Sequence, residues 1–444
     1  MRRSVTMMKA LSSEGRHFFT FPMQSPPRRA LLTLLPAAAL ASVSRAARAR
    51  QAPLTVAAFP LVDRIAADAR TAWQALHSDV ELQVIGRQYG DHHTAMATSL
   101  TTAAQLPDVM ALEASQLGRF AIGTGLQDLR AAPFGIEAQR EAFTPFAYAQ
   151  AGSPRGEVVA APADIGPGTM LLRHDVLERA GIEPAALTAS WDDYVEAGRR
   201  IKARTGARLL VHVRALKDIV IRSGLQSGEG LYFDEHKRVL VDTPRFRRAF
   251  ELARTIRREG LDAKLQPWSN EWAESVRRGR LASELGGAWL VGQLSSWVAP
   301  QTAGLWRAAP FPEGANASYG GIFYAMPRRL PRERQLLAWD FIRLMCLDRG
   351  RQLAAFEAYD AFPALRAAQD APIFDAPVPF LGGQPARRQW VAAAERIAAP
   401  RLHRQDGFAG EVVDTELDKV LLRDKPIPLA LKDAADLIAR RALR

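Results

Sequence analysis

The sequence predicts an α/β protein built on mostly parallel sheet flanked by helices. Three observations predict it. From residue 53 onward, apolar runs of strand length alternate with longer segments of helical periodicity. The composition, 48% hydrophobic and 24% charged, is that of a globular chain and excludes disordered, collagen-like and disulfide-scaffold classes. At 444 residues the chain is long enough for roughly two or three domains, each with its own core.

The elements follow in order. Leu54 to Phe59 reads as a buried strand, and Val62 to Leu76 as one helix with Ile65, Ala66, Ala69, Trp73 and Leu76 on a single face. Val80 to Ile85 is a second strand, a helix spans 91–104, and Pro107-Asp108 leads into a third strand at 109–112. Ser190-Trp-Asp-Asp193 predicts a capping box, with Ser190 taking an orphan amide and Asp193 returning the bond. Asp242-Thr243-Pro244 starts another helix, whose Phe246, Ala249, Phe250, Ala253 and Ile256 face inward and which Gly260 ends. Pro428 opens a last helix with Leu431, Ala434, Ala435 and Ile438 on one side.

The formal charge of +12 suggests nucleic acid until it is located. Residues 1–49 hold eight basic residues and one acid, a net +7 that leaves +5 for the rest, spread along helical faces opposite acids. No nucleic-acid partner is expected. The same segment carries Arg28-Arg29 ahead of a 14-residue apolar run, Ala30 to Val43, and then Ala47-Arg48-Ala49. That run is too short to span a bilayer and is interrupted by Pro36. Basic stretch, apolar core and small residues read as a cleaved signal peptide over 1–49, by the general or the twin-arginine route, with translation starting at Met1 or Met23. The alternative is a basic tail on a cytoplasmic protein. No cysteine follows the apolar core, so no lipid anchor is expected there, and the exported chain is expected in the periplasm.

Chemistry of the common catalytic and cofactor motifs is absent. The sequence lacks Gly-x-Ser-x-Gly, Gly-x-Gly-x-x-Gly, a phosphate-loop lysine motif, His-Glu-x-x-His and an EF-hand loop. Its single cysteine, Cys346, sits on an amphipathic helix and reads as a buried, inert thiol. Asp91-His92-His93 is the one histidine cluster; adjacent residues on a helix point about 100° apart, so a solvated helix start is expected rather than a metal site. No cofactor or metal is implied.

Tryptophan stands out instead. Five of the nine fall between 268 and 306, namely Trp268, Trp272, Trp289, Trp297 and Trp306, with Tyr319 and Tyr324 close behind. Such residues either pack in a core or line a cleft, where a flat aromatic face suits the C–H face of a sugar ring and carboxylates and amides take its hydroxyls. Trp289 is the best cleft candidate because Gly286-Gly287 precede it; these glycines either admit a ligand closely or make a turn.

An ordered set of short motifs supports that reading. Leu106-Pro-Asp-Val109 is followed by Phe120-Ala-Ile-Gly-Thr-Gly-Leu-Gln-Asp-Leu129, then Val159-Ala-Ala-Pro162, Met170 to Gly181 and Ser190-Trp-Asp-Asp193. Gly286-Gly-Ala-Trp289, Pro310-Phe-Pro-Glu-Gly314, Tyr319-Gly-Gly-Ile-Phe-Tyr-Ala-Met326, Ala361-Phe-Pro-Ala-Leu365 and Phe380-Leu-Gly-Gly-Gln384 complete it. Over about residues 53–444 the chain resembles the family 1 extracellular solute-binding proteins of carbohydrate ATP-binding-cassette (ABC) importers, the maltodextrin-binding type and its relatives. It departs from them at Leu172-Arg173, where the family usually has Tyr-Asn.

The resemblance implies a two-lobed fold, each lobe a mostly parallel sheet flanked by helices, with three crossings between lobes. Lobe one would hold 53–161 and 310–358, lobe two 162–309 and 359–444. It implies a non-enzymatic, monomeric protein that binds a mono- or oligosaccharide between the lobes and delivers it to a membrane permease. Trp289 would stack on the sugar, Glu113, Ser115 and Gln116 would offer polar ligands, and Tyr319, Gly320 and Gly321 would border the cleft. Trp268 would add an aromatic wall. Phe59 and Asp164 are cleft positions by their place in the chain, or else strand-end packing and a turn cap. Two other readings stand beside this one: a secreted glycoside hydrolase using two cleft carboxylates, and a binding protein for a charged small solute, disfavoured by the tryptophan density.

Overall fold

Leu54, Val56, Ala57 and Ala58 are sealed from solvent in the first strand, as the unbroken apolar run requires of a strand covered on both faces. The computed structural model describes residues 51–226 and 228–442; the expected signal peptide at 1–49 lies outside the described residues. Among the described residues seven strands, β1 (Leu54–Ala58), β2 (Leu82–Gly86), β3 (Val109–Glu113), β4 (Ala161–Arg173), β5 (Ser283–Gly287), β6 (Trp306–Ala309) and β7 (Ser318–Ala325), pair in the order β2-β1-β3-β7-β4-β5, with β6 also on β4.

β1 pairs parallel to β2 and β3, with Val56 opposite Val84 and Val109. The remaining pairings among the named strands are antiparallel: β3 with β7, and β4 with β7, β5 and β6. The expectation of mostly parallel sheet therefore holds at one end only and is corrected at the other. Parallel pairing outside the named strands is reduced to single bridges, Arg208 with Leu281, Leu210 with Asp262 and Gly230 with Arg401. The physical reason lies in β4. This 13-residue strand runs on past β7, which it meets from Ala161 to Pro167, to pair with β5 and β6 from Gly168 to Arg173. Strands returning from residues 283–325 lie beside it in the opposite direction, and apolar periodicity carries no information on pairing direction.

Two apolar clusters cover the sheet. One gathers β1, β3 and β7 with the helix Arg332–Cys346, and takes in Trp272, Trp306 and Trp390. The other is built from the helices Trp191–Thr205, Val213–Arg222, Pro244–Arg258, Asp406–Arg423 and Ile427–Ala442. β4 feeds both: Leu171 enters the first and Met170 and Leu172 the second, as the two-residue period of a strand dictates.

Helix ends follow the sequence closely, with two adjustments. Val62 to Leu76 forms two helices, Val62–Ala67 and Arg70–Leu76, rather than one. The break turns Leu76 out to 58% exposure, while Trp73 stays buried and its indole donates to the Val80 carbonyl at 2.8 Å. At Ser190 the hydroxyl accepts from the Asp193 amide at 3.0 Å, but it also donates to the Asp193 carboxylate at 2.6 Å, so the return bond runs to the side chain and not to the Ser190 amide. Thr243 and Pro244 start their helix as expected and Gly260 (φ 61°) follows its end. Cys346 is buried, and burial pushes its thiol up, which keeps it protonated and inert. No helix among the described residues is long and apolar enough to cross a membrane.

Candidate functional site

A cavity of about 440 Å³ opens where β1 and β3 end, β4 passes and β7 begins. Strand ends of open α/β sheets are where ligands bind, because diverging loops leave a crevice there. Eight of the ten expected residues line it: Phe59, Glu113, Asp164, Trp268, Trp289, Tyr319, Gly320 and Gly321. Ser115 and Gln116 do not. The chain enters the helix Ala114–Ile122 immediately after Glu113, which leaves Ser115 on the exposed side and Gln116 half-buried outside the cavity. Ser115 serves Glu113 instead, its amide donating to Glu113 Oε2 at 2.9 Å and its hydroxyl to the same oxygen. Glu113 thus caps that helix while facing the cavity.

One wall is polar. The Phe59 ring meets Tyr89 edge-on, with centroids 5.4 Å apart, and the Tyr89 hydroxyl donates to Glu113 Oε2 at 3.0 Å. His92 and His93 lie directly behind. The sequence suggested a solvated helix start, and this is corrected: both are buried, because the first turn of the helix Tyr89–Thr102 packs under the ends of β1 and β3. His92 Nε2 donates to the Ala111 carbonyl at 2.7 Å. His93 Nδ1 donates to the Tyr89 carbonyl at 2.9 Å, and its Nε2 accepts from the Glu113 amide at 3.2 Å. Burial lowers both, His92 to about 4, so they are neutral hydrogen-bonding groups that hold the Glu113 backbone. Among the described residues no group of three or more side chains is arranged to hold a metal ion.

Asp164 sits at a bulge in β4, where its Oδ1 accepts from the Ile322 amide at 2.8 Å. Burial first, and the nearby Glu113 charge second, raise its carboxyl to about 7. Gly320 (φ 80°) and Gly321 (φ 122°) hold backbone that other residues rarely adopt, and a Cβ on Gly321 would stand 3.0 Å from the Asp164 carbonyl.

A second part of the lining is aromatic. Trp289 is half-buried and its indole donates to the Tyr319 carbonyl at 2.7 Å. A Cβ on Gly287 would collide with that indole, so this glycine makes room for Trp289 itself. Trp268 stacks on Trp289, with centroids 5.9 Å apart and planes 20° apart, and is 49% exposed. Its φ of 71° is unusual for so bulky a residue. Trp272 and Trp306 are core residues: the Trp272 indole donates to buried Glu284 at 2.9 Å, and the Trp306 indole to Thr302 Oγ1 at 2.9 Å.

Sequence reasoning missed Tyr89, Gln293, Tyr359, Asp360 and Phe362 as lining residues. Asp360 and Phe362 flank the start of the Ala361-Phe-Pro-Ala-Leu365 motif, which was the available signal. Asp360 lies just past the helix Arg349–Tyr359 with φ 54°, and burial raises its carboxyl despite Arg387 nearby. Glu113, Asp164 and Asp360 all line the cavity, and among the described residues no Lys or Arg does.

A crevice at strand ends, lined by both carboxylates and fixed indoles, defines a protein built to hold a small polar solute. The chain belongs to the bacterial extracellular solute-binding protein family, whose model matches residues 59–351. This is a transport family of binding proteins, not enzymes, which sets aside the glycosidase alternative. The chain is 26% identical over 330 residues to a lactose-binding protein of Rhizobium radiobacter, covering 71% of this chain and 75% of the relative. A crystal structure of a family 1 extracellular solute-binding protein superposes with a TM-score of 0.77 at 22% identity, covering 88% of this chain and all of that one. An ABC transporter-associated binding protein from B. animalis subsp. lactis, in complex with beta-1,6-galactobiose, superposes with a TM-score of 0.71 at 22% identity, covering 88% and 97%. These solved structures establish the α/β solute-binding fold.

Proposed function

We propose that this chain is the substrate-binding component of an ABC sugar importer, which captures a mono- or oligosaccharide in the cavity and delivers it to a membrane permease. The observation that carries the proposal is a shared lining, in which Glu113 and Asp164 border the same cavity as the fixed indoles of Trp289 and Trp268. Carboxylates take sugar hydroxyls as paired hydrogen bonds, and an indole face covers the C–H face of the ring. The lactose-binding relative and the galactobiose-bound structure agree with this class of ligand. With three acids and, among the described residues, no basic side chain on the lining, an anionic solute is disfavoured.

In this reading Phe59, Tyr319, Gly320 and Gly321 frame the sugar. Residues 53–161 with 310–358, and 162–309 with 359–444, act as two lobes joined by three crossings that close by a hinge. The exported form acts as a monomer in the periplasm after loss of residues 1–49. A thermal-shift screen of the purified protein against mono- and oligosaccharides tests the proposal. A ligand at 100 times its dissociation constant stabilises the folded state by about 2.7 kcal/mol. Stabilisation by no carbohydrate, with a response to a polyamine, would transfer the site to a cationic solute.

A further inference from the structure

We propose that the ligand is an oligosaccharide whose outer unit leaves the cavity and lies on an aromatic shelf made by Trp268 and Trp297; this rests on the sugar-binding reading above. The three indoles form a graded series. Trp289 is half-buried inside the cavity, Trp268 stands at its rim and Trp297 stands outside it, 57% exposed. Trp268 stacks on both of the others, 5.9 Å from Trp289 and 6.3 Å from Trp297, with planes tilted by only 20° and 24°. Centroids this far apart mean offset stacking, in which each ring leaves part of its face free. Each step is comparable to the length of one sugar ring, so consecutive units of a chain can meet consecutive rings.

The shelf is held at a cost that packing alone does not recover. Two large apolar rings half in water forgo the burial that stabilises a core tryptophan. Trp268 additionally keeps a left-handed backbone, a conformation that persists where the surroundings impose it and that concentrates at ligand sites. Trp297 stands on a π-helical turn, Leu294–Val298, which widens the helix at that point; such turns also concentrate at functional sites. Its indole donates to Gln293 Oε1 at 2.7 Å, and Gln293 lines the cavity. That bond fixes the ring and leaves the Gln293 amide nitrogen to donate to a hydroxyl at the cavity mouth.

Calorimetric titration of the wild type, Trp297→Ala and Trp297→Phe with a matched monosaccharide, disaccharide and trisaccharide tests the proposal, with a melting curve of each unliganded variant. Trp297→Ala should weaken the longer ligands about five- to tenfold, leave the monosaccharide within about twofold, and be rescued largely by Trp297→Phe. Equal weakening at every length, or none at any, overturns the shelf while leaving the sugar-binding reading intact. A wild type that binds no carbohydrate of any length overturns both.

Discussion

Glu113 and Asp164 stand on strands and are tied down by short contacts with the backbone: the Ser115 amide binds one carboxylate, the Ile322 amide binds the other, and His93 holds the Glu113 amide. Trp268, Trp289 and Trp297 stand on turns and are tied to one another, through stacking and through indole bonds to Tyr319 and Gln293. The polar wall is therefore rigid because the sheet is rigid. Of the three indoles Trp289 is the one bonded to the sheet, at the Tyr319 carbonyl, so the aromatic wall is anchored at its inner end; loss of Trp289 should disturb the outer rings, whereas loss of Trp297 or of one carboxylate should act locally.

The largest effect expected from that difference is at Trp289. Trp289→Ala removes a stacking face of about 80 Å², or about 2 kcal/mol at about 25 cal/mol per Å², with about 0.5 kcal/mol more for ring geometry. Affinity should fall about 30- to 70-fold by calorimetric titration. Because the indole is half-buried and bonded to Tyr319, the unliganded protein should also lose about 1–2 kcal/mol. A normal affinity with a stability loss of about 3–5 kcal/mol would assign Trp289 to packing alone.

The second comparison sets charge against burial on the polar wall. The Asp164 carboxyl moves from 3.8 unfolded to about 7 folded. Between about pH 4 and pH 7 the native state keeps a proton that the unfolded chain has released, so stability falls as pH rises through this window and levels off above it. Asp164→Asn keeps the acceptor for the Ile322 amide and has no charge to bury. Its melting temperature relative to wild type should therefore rise across the window, with Glu284, raised to about 8 by burial, accounting for a residual slope in both proteins. Parallel pH profiles of the two proteins would show that Asp164 titrates normally.

Legibility in the sequence divides along the same line. Strand ends are fixed by apolar runs, so Phe59 and Asp164 are plausible cleft positions by their place in the chain, Glu113 follows from the family resemblance, and the density of tryptophan points to the aromatic part of the lining. Ser115 and Gln116 stand behind the lining rather than on it because a helix begins immediately after β3, which leaves the Ser115 hydroxyl bonded to Glu113. The burial of His92 and His93 was hidden because it depends on which face of a polar helix the sheet covers. Asp360 reaches the cavity across hundreds of residues of chain, beyond any local pattern. Pairing direction in β4 to β7 was invisible for the same reason: it is settled by tertiary packing and leaves no mark on periodicity.

A third prediction separates the two roles of Glu113. Its carboxylate faces the cavity and also caps the helix Ala114–Ile122. Glu113→Ala should cost about 1 kcal/mol of stability through the lost cap, and about tenfold or more in sugar affinity through a lost charged hydrogen bond. Glu113→Gln should recover most of the stability, since its amide oxygen can still accept from Ser115, and only part of the affinity. Melting curves paired with titrations read the two effects independently.

The smallest effect concerns the backbone under the aromatic wall. Trp268 holds φ at 71°, a conformation that costs a residue with a Cβ about 1–2 kcal/mol and costs glycine little. Both Trp268→Ala and Trp268→Gly remove the ring and its contacts with Trp272, Trp289 and Trp297, so they differ chiefly in how each tolerates that backbone. If the neighbouring rings impose the conformation only while Trp268 is present, the turn relaxes in both variants, and alanine should be the more stable because it loses less entropy on folding. If the turn is held by the chain itself, glycine should be the more stable by about 1 kcal/mol. The amide of Ser269 donates to the Gln266 carbonyl across this residue, and the Ser269 hydroxyl caps the helix Asn270–Arg277 by accepting from the Trp272 amide, so the turn has anchors of its own. Glycine is therefore expected to win, by a margin of a few degrees in melting temperature measured on the unliganded proteins.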